Sequence, residues 1–274
     1  MTQTLTVVMS GGGIKAAAHI GAMRAIVESG LTPTRYIGTS MGAAIAAGFA
    51  AGLSVAEMSD RMRSIDRRDI AAVSPMSLAK GLYAEAILRP NRLRRTLERL
   101  LPVERFDQLR VPLLVTAVDL DNGDLVTFGG PGEATPMVDA VYASCALPLL
   151  YPPAEIAGRR FSDGGLRGVV PLEVARNFPS DLIVAIDVGP GFDVPQGRGS
   201  GPLPPPAVRI HNEAQWVMMA EISRLQLALW QASPQLPRLI YIRPPVGPGA
   251  TFDTSQIDSY LEEGYLAAVK ELRS

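Results

Sequence analysis

The sequence has a single cysteine and almost no net charge, and each of these scarcities excludes a class of protein. One cysteine, Cys145, cannot form an internal disulfide or a cysteine-rich metal site, and it fits a reducing compartment. The start of the chain has no basic segment before its apolar residues, so it does not read as a secretory signal. The net charge of −1 gives no overall field that would attract nucleic acid. We therefore expect a cytoplasmic protein with no nucleic-acid partner.

Charged residues are also absent from residues 36–56, a stretch long enough to cross a membrane. The stretch holds four glycines and many alanines, which suits a helix packed closely inside a protein better than a helix facing lipid. Hydrophobic residues make up 47% of the chain and charged residues 19%, enough for a sizeable core. We predict a single domain over residues 1–274.

A G-x-S-x-G pattern lies between a short apolar run and an alanine-rich run, at residues 38–42. This order predicts a strand, a sharp turn and a helix, with Ser40 on the turn and its hydroxyl accessible. Gly38 and Gly42 leave room for the neighbouring strand and helix, and a helix beginning at Met41 turns its free N–H groups toward Ser40. The pattern is common by chance, so on its own it also fits an ordinary Gly/Ser turn.

Three consecutive glycines follow a predicted buried strand at residues 4–9 and precede a predicted helix. Such a loop can direct several bare N–H groups at one anionic oxygen. One interpretation is a dinucleotide site, because residues 11–16 fit G-x-G-x-x-A, but that site needs an acid at the end of the second strand. The second strand ends instead at Ser40. The other interpretation is an oxyanion hole one βα unit before a nucleophile, and the two adjacent motifs favour it.

The sequence resembles the patatin-like phospholipase family in three stretches, SGGGIKAAAHIGAMRAI, GTSMGA and SDGGLRG, which stand in the family's order. The resemblance extends to residues 141–165 and loosely to the C-terminal FDTSQIDSYLEEGYLAA. It implies a serine acyl hydrolase, a lipid esterase of phospholipase A or lysophospholipase type, in which Ser40 is the nucleophile and Asp163 the base of a Ser–Asp dyad.

The resemblance also implies an oxyanion loop and a reaction that needs neither metal nor cofactor. The residues of that loop would be Gly11, Gly12, Gly13 and Lys15. The sequence departs from the family's pattern at Lys15, where arginine is frequent, and at Ala16, where glycine is usual. Without the resemblance, Lys15 reads equally well as a solvated lysine at the start of a helix.

The rest of the chain predicts strands alternating with helices. Apolar runs at residues 111–120, 182–188 and 238–242 predict buried strands, and long periodic segments at residues 207–231 and 256–272 predict helices. This alternation favours a three-layer α/β/α domain with a mostly parallel central sheet, patatin-like in class. The Gly/Pro-rich residues 189–206 predict a mobile loop.

An arginine-rich segment at residues 91–101 has leucines at helical spacing and predicts an amphipathic basic helix. One interpretation is that the arginines form a solvated face and the leucines pack underneath. The other is that the arginine face makes transient, peripheral contact with an anionic membrane. Asp119, Asp121 and Asp124 lack the spacing of a calcium loop, so we interpret them as turn residues.

Two other functions stay open at this point. An α/β-hydrolase triad would use Ser40, then Asp163 or Asp187, then His211, although an elbow of that fold normally follows several strands. A Rossmann-like nucleotide-binding module would use the glycine loop and no serine chemistry. The residues leave the acyl length, the headgroup and the oligomeric state undetermined.

Overall fold

A central eight-stranded sheet organises the part of the chain that the computed structural model describes, residues 3–192, 205–247 and 251–273. The strands are β1 (Leu5–Met9), β2 (Arg35–Thr39), β3 (Leu113–Asp119), β4 (Leu125–Phe128), β5 (Ala154–Ile156), β6 (Arg159–Asp163), β7 (Leu182–Ile186) and β8 (Arg238–Ile242). The helices are α1 (Ala17–Glu28), α2 (Met41–Ala50), α3 (Val55–Arg63), α4 (Arg67–Ile70), α5 (Pro75–Lys80), α6 (Pro90–Leu100), α7 (Met137–Cys145), α8 (Leu172–Ala175), α9 (Pro206–Gln231) and α10 (Ile257–Leu272).

Five strands run parallel in the order β3-β2-β1-β7-β8. The antiparallel strands β4 and β6 both pair with β3, and β5 extends the sheet beyond β6. Parallel strands require crossover connections, and the helices that supply them cover both faces of the sheet.

Alternation along β1 shows how the two faces are filled. Val7 and Met9 pack on one face, in the large core cluster that includes residues of α1, α2, α6 and α7. Val8 points to the other face and packs with Leu172 and Trp230 from α8 and α9. Successive side chains of a strand point to opposite faces, so a strand buried on both sides reads as a continuous apolar run. The α/β class and the mostly parallel sheet predicted from the sequence are confirmed.

Residues 36–50 of the uncharged stretch are buried, as predicted, and they include every residue of α2, whereas residues 51–56 are partly buried or exposed. None of the described helices is long and apolar enough to cross a membrane. The helix expected from Lys15 begins as a 3₁₀ turn, Gly13–Ala16, and becomes α-helical at Ala17. The predicted mobile loop falls mainly on residues 193–204, which lie outside the described residues.

Candidate active site

Ser40 and Asp163 meet because two strands end beside each other along β3. Residues 115 and 116 pair with both β2 and β4, and residues 117 and 118 pair with both β4 and β6. A strand has only two hydrogen-bonding edges, so β2 and β6 share one edge of β3, one after the other. β2 ends with Thr39 opposite Thr116, and the antiparallel β6 ends with Asp163 opposite Ala117. The two motifs, far apart in the sequence, are thus brought together by register.

The turn that carries Ser40 has the backbone of a nucleophile elbow. Ser40 has φ 53° and ψ −133°, a conformation that non-glycine residues rarely adopt, and α2 begins at the next residue. A Cβ on Gly42 would overlap the carbonyl oxygen of Ser10, and a Cβ on Gly38 would overlap Ala43. Both glycines are therefore required where the elbow packs against the first loop and against its own helix.

The carboxyl group of Asp163 is buried, with 2% of the residue exposed. It accepts a hydrogen bond from the backbone N–H of Gly165 at 2.8 Å and interacts with the side chain of Ser40. Burial raises the pKa of Asp163 to about 7, and the interactions with Gly165 and Ser40 offset part of that rise. A carboxylate with a pKa near neutrality is a much better proton acceptor than an exposed aspartate.

The glycine loop has two N–H groups without an acceptor in the described part of the chain. The N–H of Gly11 donates to the carbonyl of Val169 at 3.1 Å, and the N–H of Ile14 donates to Thr251 at 3.0 Å. The N–H groups of Gly12 and Gly13 have no acceptor among the described residues. Gly13 has φ 61° and a Cβ there would overlap Thr251, so no other residue fits this position without rearrangement.

His19 anchors the start of that loop. Its Nε2 hydrogen-bonds to the carbonyl of Ser10 at 2.9 Å, and the Ser10 hydroxyl accepts the N–H of Val188 at 2.8 Å. Burial lowers the pKa of His19 to about 4, so the ring is neutral and donates through Nε2. His19 is therefore a packed structural histidine.

Lys15 is not a solvated lysine. It lies partly buried near Asp187 and Arg243, and burial lowers its pKa, with Asp187 acting in the opposite direction and Arg243 reinforcing the fall. Asp187 in turn pairs with the guanidinium of Arg243 and accepts the hydroxyl of Tyr241 at 2.7 Å. The structure therefore places Lys15 in a charged cluster behind the glycine loop, at the ends of β7 and β8.

A pocket opens next to Ser40 and contains about 380 Å³ of space, part of it continuous with solvent. Most of its lining is apolar, and it is formed by Gly13, Ile14, Ser40, Met41, Ile70, Leu93, Cys145, Leu147, Tyr151, Thr251 and Phe252. The sequence predicted three residues of this lining, Gly13, Ser40 and Met41, but not the side chains from α6 and the segment after β8. Those come from distant parts of the chain, and only the tertiary fold identifies them.

The second histidine does not reach the nucleophile. His211 lies near the start of α9, and its Nε2 is buried with no hydrogen-bond partner among the described residues. The polar contacts of Ser40 come instead from Asp163, Ser144 and Cys145. Within the described ranges, no group of three or more His, Cys, Asp or Glu side chains could hold a metal ion.

Comparisons with known proteins cover the part of the chain that holds this site. The family model described as patatin-like phospholipase matches residues 7–176, which include the glycine loop, Ser40 and Asp163. An uncharacterized NTE family protein of Mycobacterium bovis is 29% identical over 190 residues, covering 68% of this chain and 50% of its own length. A lysophospholipase of Coccidioides immitis is 24% identical and matches 96% of this chain and 17% of its own length.

Among solved structures, VipD from Legionella pneumophila has a TM-score of 0.52 at 16% sequence identity, covering all of this chain and 67% of VipD. At that identity the likeness concerns the fold. The chain spans about half the length of the mycobacterial relatives that it matches.

Proposed function

The chain belongs to the patatin-like phospholipase family, and on that premise we propose that it hydrolyses carboxylic esters of lipids, as a phospholipase A or lysophospholipase. The observation that carries the proposal is the buried Asp163 carboxyl group interacting with Ser40, which lies on a strained elbow. Among the described residues, no histidine is hydrogen-bonded to Ser40 or Asp163 to complete a triad. The reaction proposed is acyl transfer to Ser40 followed by hydrolysis.

In the first step the Ser40 hydroxyl oxygen attacks the ester carbonyl carbon while its proton passes to Asp163. The pKa near 7 lets Asp163 be ionised at neutral pH and still accept a proton readily. The positive end of α2 points at Ser40 and favours negative charge there. Collapse of the tetrahedral intermediate expels the alcohol, which takes the proton from Asp163, and leaves an acyl ester on Ser40.

In the second step a water molecule attacks the acyl ester, with Asp163 again accepting the proton. Collapse of the resulting intermediate releases the fatty acid, and Asp163 returns the proton to the Ser40 oxygen. The same carboxylate serves both half-reactions, so the mechanism needs no histidine. The Nε2 of His211 has no hydrogen-bond partner among the described residues, which supports this assignment.

The developing oxyanion would be bound by the N–H groups of Gly12 and Gly13. These two donors are unused within the described residues, whereas the N–H of Gly11 is held by Val169. We therefore assign Gly11 and Lys15 to shaping the loop rather than to direct donation. Removing one donor from such a hole typically costs about 3 kcal/mol in the transition state.

A lipid substrate suits the pocket, because the side chains around Ser40 are mainly apolar. The sequence also predicts transient contact with anionic membranes through α6, and that stays a prediction. Two arginines of this helix are already paired with acids, since Arg94 pairs with Asp139 and Arg99 pairs with Asp69. Only the remaining exposed arginines of the helix would face a membrane, so we expect its electrostatic contribution to be small.

The test is a hydrolysis screen with p-nitrophenyl esters of graded length and a panel of phospholipids and lysophospholipids. We expect wild-type protein to hydrolyse esters and to be labelled by a serine-directed phosphonate. Ser40→Ala should lose both properties while its circular dichroism is unchanged. Equal turnover by wild type and a folded Ser40→Ala protein would refute the proposal.

A further inference from the structure

The C-terminal end of α7 touches both members of the dyad. The hydroxyl oxygen of Ser144 accepts the backbone N–H of Ser40 at 2.7 Å, and the thiol of Cys145 interacts with the Ser40 side chain. The carbonyl of the next residue, Ala146, accepts the N–H of Asp163 at 3.1 Å. Three consecutive residues thus contact the nucleophile and its base, which come from different strands.

The contact from Ser144 provides a hydrogen-bond acceptor for a backbone N–H that the sheet leaves unpaired. Pairing between β2 and β3 ends at Thr39, so the N–H of Ser40 has no acceptor in the sheet. Ser40 is 7% exposed, so water does not readily replace that acceptor. A buried N–H without a partner is costly, and the left-handed φ of Ser40 is strained as well. Ser144, which is fully buried, supplies the acceptor.

We propose that Ser144 is a positioning residue for the nucleophile: its hydroxyl holds the amide of Ser40, so that the strained turn keeps the Ser40 oxygen against Asp163. This inference rests on the function proposed above. It has a consequence for the oxyanion hole, because an N–H bound to Ser144 cannot also donate to substrate. The donors are then confined to the glycine loop, in contrast to serine proteases, in which the nucleophile's own N–H takes part.

A matched pair of variants tests the hydroxyl separately from the packing. Ser144→Thr and Ser144→Val add the same branched bulk to the buried site, but only threonine retains a hydroxyl. We expect kcat of Ser144→Val to be about 10- to 100-fold below that of Ser144→Thr, with KM changed less than about threefold, since the lost bond affects the turn and not the pocket. The rate of phosphonate labelling should fall in parallel.

Thr6→Val is the control for loss of a buried hydroxyl elsewhere. Thr6 is fully buried and hydrogen-bonds to Ser180 at 2.6 Å near the amino end of β1, whereas the site lies past the carboxyl end of that strand. This variant should lower the melting temperature and leave kcat and the labelling rate unchanged. If Ser144 contributed to stability alone, Ser144→Val would likewise lower the melting temperature and leave kcat and the labelling rate unchanged.

Ser144→Ala, which adds no bulk, covers the case in which the branched variants fail to fold. We expect it to lose kcat to a similar extent as Ser144→Val. Equal kcat and equal labelling rates for folded Ser144→Ala and wild type, or for the folded Thr and Val variants, would overturn the inference. A wild-type protein without esterase activity, or an active Ser40→Ala protein, would instead refute the proposed function, so the two failures are distinguishable.

Discussion

Asp163 at the end of β6 and Asp187 just past β7 are built alike and differ in their partners. Both residues are 2% exposed, and each accepts the N–H of the glycine two positions later at 2.8 Å. Asp187 additionally binds the guanidinium of Arg243 and the hydroxyl of Tyr241. Asp163 has no ion pair among the described residues, and its remaining side-chain partner is the Ser40 hydroxyl.

The difference shows what separates a structural aspartate from a proposed base. At Asp187 the guanidinium of Arg243 and the hydroxyl of Tyr241 occupy the carboxylate, which joins the end of β7 to the end of β8. Burial without such a cation raises the pKa of Asp163 to about 7. The same short turn, an aspartate bonded to the glycine two positions later, therefore serves two purposes. At Asp187 it joins chain segments and binds Arg243, and at Asp163 it leaves a carboxylate that can accept a proton.

The largest expected effect comes from removing each carboxylate in turn. Asp163→Asn should lower kcat/KM for a soluble short-chain ester by about 1,000-fold or more, because an amide cannot accept the proton. Asp187→Asn keeps an acceptor for Gly189 and Tyr241, and we expect it to stay within about tenfold of wild type. Steady-state kinetics on both folded proteins measures this, and equal losses would make Asp187 a second functional acid.

Stability should respond to the same two substitutions with opposite signs. The pKa of Asp163 is about 7 in the folded protein and about 4 when unfolded, so the native state binds the extra proton between those values. Wild-type stability therefore falls as pH rises through this window and is lowest above it. Asp163→Asn removes the penalty, and it should be more stable than wild type by roughly 2–4 kcal/mol at about pH 8, and by much less at about pH 4.

Asp187→Asn should instead be less stable than wild type by roughly 1.5–3 kcal/mol at about pH 8, because it loses a charge-assisted hydrogen bond to Arg243. Urea denaturation of the three proteins at both pH values gives the comparison. If Asp163→Asn were destabilised at the higher pH, burial would not be what controls the Asp163 carboxylate.

Much of this comparison could be predicted from the sequence, because its signals are local. Ser40 lies in a pentapeptide whose glycines report close packing, and Asp163 precedes two glycines in a stretch that the family resemblance covers. Strand β8 and the long helices α9 and α10 were predicted within one residue, since their apolar patterns are sustained.

The partners that distinguish the two aspartates could not be predicted. Arg243 and Tyr241 reach Asp187 from β8 and the residues that follow it, more than fifty positions away, and no periodicity links the two segments. The same holds for Ser144, whose helix was predicted but whose contact with Ser40 depends on how α7 packs. The helices α4, α5 and α8 were not predicted, because four to six residues are too few to show a helical period.

A cation placed beside Asp163, like the guanidinium beside Asp187, should stabilise the ionised carboxylate of Asp163. For wild type we expect kcat/KM to rise with pH and to level off above a midpoint near 7, as Asp163 loses its proton. The methyl group of Met219 lies beside Gly165, the residue whose N–H binds Asp163. Met219→Lys should lower that midpoint by about one pH unit or more, whereas the neutral Met219→Gln should not. A midpoint shared by all three proteins would contradict the role of Asp163.

The smallest effect is expected at His211, which the comparison leaves without a role in either aspartate's network. A Ser–His–Asp triad needs an imidazole in contact with both the serine and an acid, and its loss typically costs a factor of thousands or more. In the structure the Nε2 of His211 has no partner within the described ranges, while Ser40 already contacts Asp163. His211→Ala should therefore keep kcat/KM within about tenfold of wild type, the residual change reflecting packing in α9 rather than proton transfer. When His211→Ala and Asp163→Asn are measured on the same ester, the two variants distinguish a Ser–Asp dyad from a Ser–His–Asp triad. A folded but inactive His211→Ala protein would mean that α9 brings this histidine to Ser40 during turnover. Asp163 would then orient the imidazole instead of accepting the proton itself.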